Sequence, residues 1–234
     1  RRMAPPALQR GLRNFIIDIK GCNSKTDEIR RVQEELTKIR GKFATTKLSA
    51  YDLTKYVLKL AYIRVLGYPV PLGQREVAVL MSSGKTKEKA TGYCAASVLV
   101  SAADPVAEQV QAIVLSDLMS SANYEATALA LALAANGPRS YDEDASFRAT
   151  AARRATALLV DPQCPSYVQA KAAACVARYL TEEPASLRVL STAVEIAGVG
   201  GNVAGASATH GYEGAATRAA VVASRLLDRD PSSP

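Results

Sequence analysis

The sequence predicts an all-α fold, because apolar residues recur at helical spacing and short breaker segments divide the chain at regular intervals. The clearest stripe lies between residues 24 and 43, where neighbouring apolar residues are three or four positions apart: Ile29, Val32, Leu36, Ile39 and Phe43. Prolines at positions 69, 105 and 138 are 36 and 33 residues apart, close to the length of one helix pair. This spacing favours an α-solenoid of helix pairs over a compact helical bundle, although the units are only weakly alike in sequence.

Caps and breakers indicate where the first helices begin and end. Ser24 is a good N-cap, and Asp27 three residues later approximates a capping box. The next helix begins at residue 49 or 50 and runs to Leu66, where Gly67 and Pro69 end it. Its core-facing residues are expected to be Val57, Leu60, Ala61 and Val65, with Ile63 and Leu66 widening the buried face. Further helices are expected at about 73–83, 86–102, 105–119, 122–136, 143–159, 165–181, 184–197 and 211–228.

One segment departs from the helical pattern. Residues 198–214 contain six glycines among Ala, Ser and Thr, which predicts a flexible loop near residues 198–210. Apart from this loop, we expect residues 1–234 to form one continuous helical region.

Composition excludes several classes of function. The 234 residues are 48% apolar and 22% charged, so the chain has enough apolar residues for a folded core. A single histidine, His210, and four cysteines without a C-x-x-C pair give no set of zinc ligands. Residues 83–86 (SGKT) look like the end of a phosphate-binding loop, but Val79 stands where that motif needs glycine. The sequence therefore predicts no enzyme, no metal site and no cofactor.

Positive charge is concentrated at one end of the chain. Residues 1–65 hold 15 Lys and Arg against 6 Asp and Glu, whereas the remaining residues carry a net charge of −2. On the helix that begins near residue 50, Tyr51, Lys55 and Lys59 are four positions apart and are expected to form one outward-facing stripe. A basic end of this kind indicates an anionic partner.

Basic residues of the flanking segments are expected to converge on this stripe: Arg10, Arg13, Lys42 and Lys47. Cationic groups, a phenol hydroxyl and the N–H groups of a helix start together bind phosphates, so the pattern predicts a polyphosphate site. Two other interpretations stay open, namely a solvated basic face and a nucleic-acid-binding surface. The scarcity of aromatic residues for base stacking argues against the second.

Several segments resemble the N-terminal trunk of adaptin large chains, the scaffold subunits of clathrin adaptor complexes. They include residues 10–20 (RGLRNFIIDIK), 22–25 (CNSK), 35–43 (ELTKIRGKF), 92–100 (GYCAASVLV) and 129–137 (LALALAANG). The first forty residues are most similar to the alpha chain of the plasma-membrane complex. Residues 66–69 (LGYP) are nearer to the gamma chain of the Golgi and endosomal complex, which stays open as the alternative.

The resemblance implies a HEAT/armadillo-like α-solenoid over residues 1–234, acting as a non-enzymatic scaffold. Its implied partners are the adaptor beta, mu and sigma chains, sorting-signal cargo, a phosphoinositide membrane and, through the beta chain, clathrin. The implied role is support of cargo selection in clathrin-mediated endocytosis and intracellular protein transport. The implied location is the cytoplasmic face of the plasma membrane at coated pits, or of Golgi and endosomes for a gamma-type chain.

In alpha chains, the opening helices bind the head group of phosphatidylinositol 4,5-bisphosphate. Carried over by motif, that site falls on Arg10, Lys42, Tyr51, Lys55, Tyr56 and Lys59. Lys20 takes the position of a basic residue that faces the acidic residue of dileucine sorting signals. Of the family's run of three lysines after the tyrosine, only Lys55 remains, which is expected to weaken lipid binding.

Overall fold

The computed structural model describes residues 8–179, apart from residues 46, 121–122, 139 and 162. Within these residues the chain is helical and contains no β-strand. The helices are α1 (Leu8–Lys20), α2 (Lys25–Thr45), α3 (Ala50–Val65), α4 (Gln74–Met81), α5 (Thr86–Leu99), α6 (Ala107–Met119), α7 (Tyr124–Asn136), α8 (Ser140–Glu143), α9 (Ala145–Val160) and α10 (Ser166–Tyr179). The predicted all-α, helical-repeat fold class is confirmed. The helices expected at 184–197 and 211–228, the loop near 198–210 and His210 lie outside the described residues.

Local signals in the sequence account for the ends of α3. The Ser49 side chain accepts a hydrogen bond from the backbone N–H of Asp52 at 3.1 Å, which satisfies one of the unpaired donors of the first turn. At the other end, Gly67 has a φ of +92°, which side chains with a Cβ rarely adopt, and its N–H bonds to the carbonyl of Arg64. The predicted start and end of this helix are therefore confirmed to within a residue.

The chain divides into two compact units, residues 1–113 and 114–234. In the first unit, α3 is the central helix, and α1, α2, α4 and α5 all contact it. The largest fully buried side chains of this unit come from four of these helices: Phe15, Ile39, Leu60, Ile63, Leu80 and Met81. The position of α3 matters for function because the predicted polyphosphate site lies on it.

In the second unit, α10 packs against α7 and α9. Arg178 of α10 donates hydrogen bonds to the carbonyls of Ala134, Gly137 and Pro138 at 3.0–3.1 Å, which satisfies acceptors at the C-terminal end of α7. The hydroxyl of Tyr179 donates to Ala134 as well. A guanidinium group from a neighbouring helix thus takes the place of a local C-terminal cap.

The buried face of α3 is rotated relative to the sequence-based expectation. Val65, predicted to face the core, is 70% exposed, whereas Tyr56, Lys59 and Ile63 are buried beside Leu60. The reason is helical geometry: Val65 is two positions after Ile63, so the two side chains point about 200° apart. This rotation decides the environment of the lysines on α3.

No helix in the described part of the chain combines the length and the apolar character that crossing a bilayer requires.

Candidate functional site

The first turn of α3 gathers charged and aromatic groups around the ammonium of Lys55. Lys55 Nζ donates a hydrogen bond to Asp52 Oδ1 at 2.5 Å, and the hydroxyl of Ser49 donates to Asp52 Oδ2 at 2.9 Å. The side chain of Asp52 is 38% exposed and that of Lys55 is 18% exposed. Both charges are therefore within reach of the surface.

Aromatic rings flank this ammonium. Lys55 Nζ lies 4.5 Å from the ring centre of Tyr56 and 5.6 Å from that of Tyr51, both within the range of cation–π attraction. The stem of Lys55 passes close to Gly11 of α1, because a Cβ at that position would be 2.9 Å from Lys55 Cδ. The rings and the neighbouring helix hold Lys55 in one place at the start of α3.

The ion pair keeps both of its members charged. Hydrogen bonds from Lys55 and then from Ser49 lower the pKa of Asp52, and the exposed Lys42 adds to this effect through its charge. Burial lowers the pKa of Lys55, but the hydrogen bond to Asp52 raises it, and the net direction is upward. We call Lys42, Tyr51, Asp52 and Lys55 the Lys55 cluster.

Lys59 does not join this cluster, and the prediction of an outward-facing stripe is wrong for it. Its side chain is 9% exposed, and Nζ donates a hydrogen bond to Glu35 Oε1 at 2.6 Å. Glu35 is 2% exposed. Lys59 is turned inward because it lies three residues after Tyr56 and four before Ile63, on the face that α3 buries.

The pair of Lys59 and Glu35 extends into a network that joins three helices. Arg31 Nη1 donates to Glu35 Oε2 at 3.0 Å, and its Nη2 donates to Asp18 Oδ2 at 2.9 Å. The guanidinium of Arg31 and the ammonium of Lys59 both lie over the ring of Phe15, at 4.9 and 5.5 Å from its centre. Burial raises the pKa of Glu35, but the bonds from Lys59 and Arg31 outweigh it and the net direction is downward.

The other predicted residues differ in their surroundings. Tyr56 is buried, and its ring meets the ring of Phe43 edge to face at 6.3 Å. Tyr51 is an exposed residue of α3, and Lys20 is exposed at the end of α1. Arg10 belongs to α1, but its side chain lies outside the described residues. The structure therefore brings Lys55 together with the rings of Tyr51 and Tyr56, and it places Lys42 close enough for its charge to act on Asp52.

Sequence reasoning missed the acidic partners, Asp52 and Glu35. A signal for Glu35 exists, because it lies three residues after Val32 and four before Ile39, on the apolar stripe of α2. A carboxylate at a core position needs a cation close by, which would have directed attention to an inward-facing lysine or arginine. For Asp52, the signal is its place in the first turn of α3, three residues before Lys55.

No protein-family model matches the sequence. It is 44% identical over 111 residues to the AP-2 complex subunit alpha of Schizosaccharomyces pombe, which covers 47% of this chain and 12% of that protein. It is 35% identical over 182 residues to the AP-2 complex subunit alpha-1 of Arabidopsis thaliana, which covers 77% of this chain and 17% of that protein. The chain is an adaptin relative of the alpha type. It corresponds to less than a fifth of the length of either protein.

The comparison with a gamma-type protein supports this assignment. The human AP-1 complex subunit gamma-like 2 is 31% identical over 98 residues, below the identities found with the alpha subunits. The chain is therefore more similar to these alpha subunits than to this gamma-type protein.

Proposed function

We propose that this chain is part of the large-chain scaffold of a clathrin adaptor complex and that it binds phosphoinositide head groups through its Lys55 cluster. The observation that carries the proposal is the similarity to AP-2 complex alpha subunits. The cluster supports the lipid-binding part, because Lys55 offers an ammonium group beside the exposed Tyr51 at the start of α3, and the charge of Lys42 acts on the same place. Arg10 is a proposed fourth contact.

The remaining parts of the proposal concern the assembled complex. The beta, mu and sigma chains are the proposed partners, clathrin is contacted through the beta chain, and Lys20 lies near sorting-signal cargo. The proposed location is the cytoplasmic face of the plasma membrane at coated pits, in clathrin-mediated endocytosis. In this function the chain acts as a scaffold and not as an enzyme.

The small number of cations sets how strongly the chain can bind a membrane. Each Lys or Arg near an anionic leaflet contributes about 1 kcal/mol. Three such residues give about 3 kcal/mol, which is weaker than millimolar affinity. Attachment therefore needs several weak contacts at once, supplied by the other chains and by cargo, which raise the effective concentration at the membrane.

Charge reversal in the cluster tests the lipid-binding part of this proposal. We expect the double variant Lys42→Glu and Lys55→Glu to bind phosphatidylcholine vesicles carrying phosphatidylinositol 4,5-bisphosphate at least about tenfold more weakly than the wild type. The measurement is vesicle flotation of the 234-residue chain at millimolar accessible lipid, with phosphatidylcholine vesicles as the blank.

The matched control is Lys85→Glu with Lys87→Glu. Both lysines are exposed at the start of α5, and reversing them changes the net charge by the same amount. Unchanged binding of the cluster variant, or equal loss in both double variants, would remove the cluster from the lipid contact. Circular dichroism melting confirms that each variant is folded.

A further inference from the structure

Within the Lys55 cluster, the carboxylate of Asp52 accepts hydrogen bonds in the way that a bound phosphate would. One of its carboxylate oxygens accepts from the ammonium of Lys55 and the other accepts from the hydroxyl of Ser49. Its charge also interacts with Lys42, the second cation of the cluster. An anionic side chain of the protein itself therefore uses the donors that the proposed lipid site offers.

This arrangement does not close the site. An ammonium carries three N–H donors, and Asp52 takes one of those on Lys55. The side chain of Asp52 is 38% exposed and its hydrogen bonds are to Ser49 and Lys55, so displacing it breaks no hydrogen bond between helices. The cost of binding an anion here is the loss of a surface ion pair together with repulsion from the carboxylate, and both are modest terms.

We propose that Asp52 is an internal competitor for anions at the Lys55 cluster and that it lowers the affinity of this site for anionic head groups. This inference rests on the proposed lipid-binding function. A lipid with a single net negative charge, such as phosphatidylserine, offers Lys55 little more than Asp52 already provides. A bisphosphorylated head group engages Lys55 and Lys42 together and so outweighs the carboxylate.

The competitor can be neutralised with little change of shape. Asp52→Asn keeps an oxygen that can accept from Ser49 and the backbone N–H that donates to the N-cap Ser49, and it removes the negative charge. We expect the variant to bind phosphatidylserine vesicles about two- to fivefold more tightly than the wild type, the range that an exposed ion pair allows. The gain on bisphosphate vesicles should be at least as large, because the carboxylate repels a more highly charged head group more strongly.

Glu88 supplies a closely matched control. It lies in the first turn of α5, accepts from the hydroxyl of Ser83 at 2.6 Å, and pairs with Lys85 at 3.2 Å. Glu88→Gln therefore makes the same change of net charge in the same local arrangement on another helix. It is expected to change binding to both kinds of vesicle equally and by less than about twofold.

Vesicle flotation of the full chain is measured for the wild type, Asp52→Asn, Glu88→Gln and the double variant Lys42→Glu with Lys55→Glu. The vesicles are phosphatidylcholine with phosphatidylserine, and phosphatidylcholine with phosphatidylinositol 4,5-bisphosphate, at matched surface charge. Tighter binding to both kinds of vesicle that is confined to Asp52→Asn supports the inference. If Asp52→Asn behaves like Glu88→Gln while the double lysine variant loses binding, the inference fails and the lipid site stands. If the double lysine variant binds normally, the lipid site itself fails.

Discussion

Lys55 and Lys59 are one turn apart on the same helix, and both are ion-paired, yet their surroundings are opposite. Lys59 is buried and bonded to Glu35, which is 24 residues away on α2. Lys55 is partly exposed and bonded to Asp52, which is three residues away on α3 itself. A pair within one helix leaves the tertiary structure free to change around it, whereas a pair between helices is part of the tertiary structure.

The comparison shows that a shared charge and a shared spacing do not give two lysines the same role. Removing one partner of a buried pair leaves an uncompensated charge in the core, which is costly. An exposed pair contributes little, because water solvates both groups. Under the proposed function, the residues available to a membrane are therefore Lys42, Tyr51 and Lys55, whereas Lys59 joins α3 to α1 and α2 through Phe15 and Glu35.

Replacing Lys55 or Lys59 by methionine separates these two roles, and the Lys59 variant has the largest expected effect on the free energy of unfolding. Breaking a buried pair costs about 3–5 kcal/mol, and because Arg31 stays bonded to Glu35 we expect Lys59→Met to lower the free energy of unfolding by about 2 kcal/mol. Lys55→Met should lower it by less than about 1 kcal/mol. Urea unfolding followed by circular dichroism measures both values.

Vesicle binding of the same two variants should show the reverse order. Lys55→Met is expected to bind bisphosphate vesicles about fivefold more weakly, and folded Lys59→Met should bind within about twofold of the wild type. If Lys59→Met loses as much lipid binding as Lys55→Met and keeps its stability, then Lys59 faces the solvent and the distinction between the two lysines is wrong.

The same contrast explains what the sequence could predict. Helix positions followed from local signals such as Ser49 and Gly67, which act within a few residues of the helix ends they define. The surroundings of Lys59 depend on Glu35, and only the packing of α2 against α3 brings that carboxylate near. The spacing of Lys59 from Tyr51 and Lys55 predicts one outward-facing stripe. Its spacing from Tyr56 and Ile63 equally places it on the face that α3 buries, and only the packing against Glu35 decides between the two.

The buried network should also make stability depend on pH in acid. Because the pKa of Glu35 is lowered in the folded protein, its contribution is complete above the unfolded pKa of about 4.3 and is lost as the pH falls through the lower folded value. Glu35→Gln lacks this contribution at every pH. The difference in free energy of unfolding between the wild type and Glu35→Gln should therefore be constant above about pH 5 and shrink below about pH 4.

Urea titrations at a series of pH values measure this difference, and subtracting the two proteins removes the effect of the other carboxylates. Glu34→Gln on the same helix is the control. Its partner Arg30 is exposed, so it should change the free energy of unfolding by less than about 0.5 kcal/mol at each pH. A difference for Glu35→Gln that does not shrink in acid would mean that Glu35 stabilises the fold by something other than its charge.

The smallest expected effect concerns how firmly α1 holds Lys55. Alanine in place of glycine inside a helix stabilises by about 0.5–1 kcal/mol where the added Cβ meets nothing. Gly41 of α2 has no such neighbour within 4 Å, so Gly41→Ala should show this gain in urea unfolding. At Gly11 the added Cβ must displace the stem of Lys55, so Gly11→Ala should gain about 0.5 kcal/mol less.

Lipid binding by the two alanine variants completes the comparison. Displacing the stem moves the ammonium of Lys55 relative to Lys42 and Tyr51, so Gly11→Ala should weaken bisphosphate vesicle binding by up to about twofold. Gly41→Ala should leave it unchanged. If the two variants gain the same stability and bind lipid equally well, then contact with α1 does not position the ammonium of Lys55. Its position would in that case be set by α3 alone.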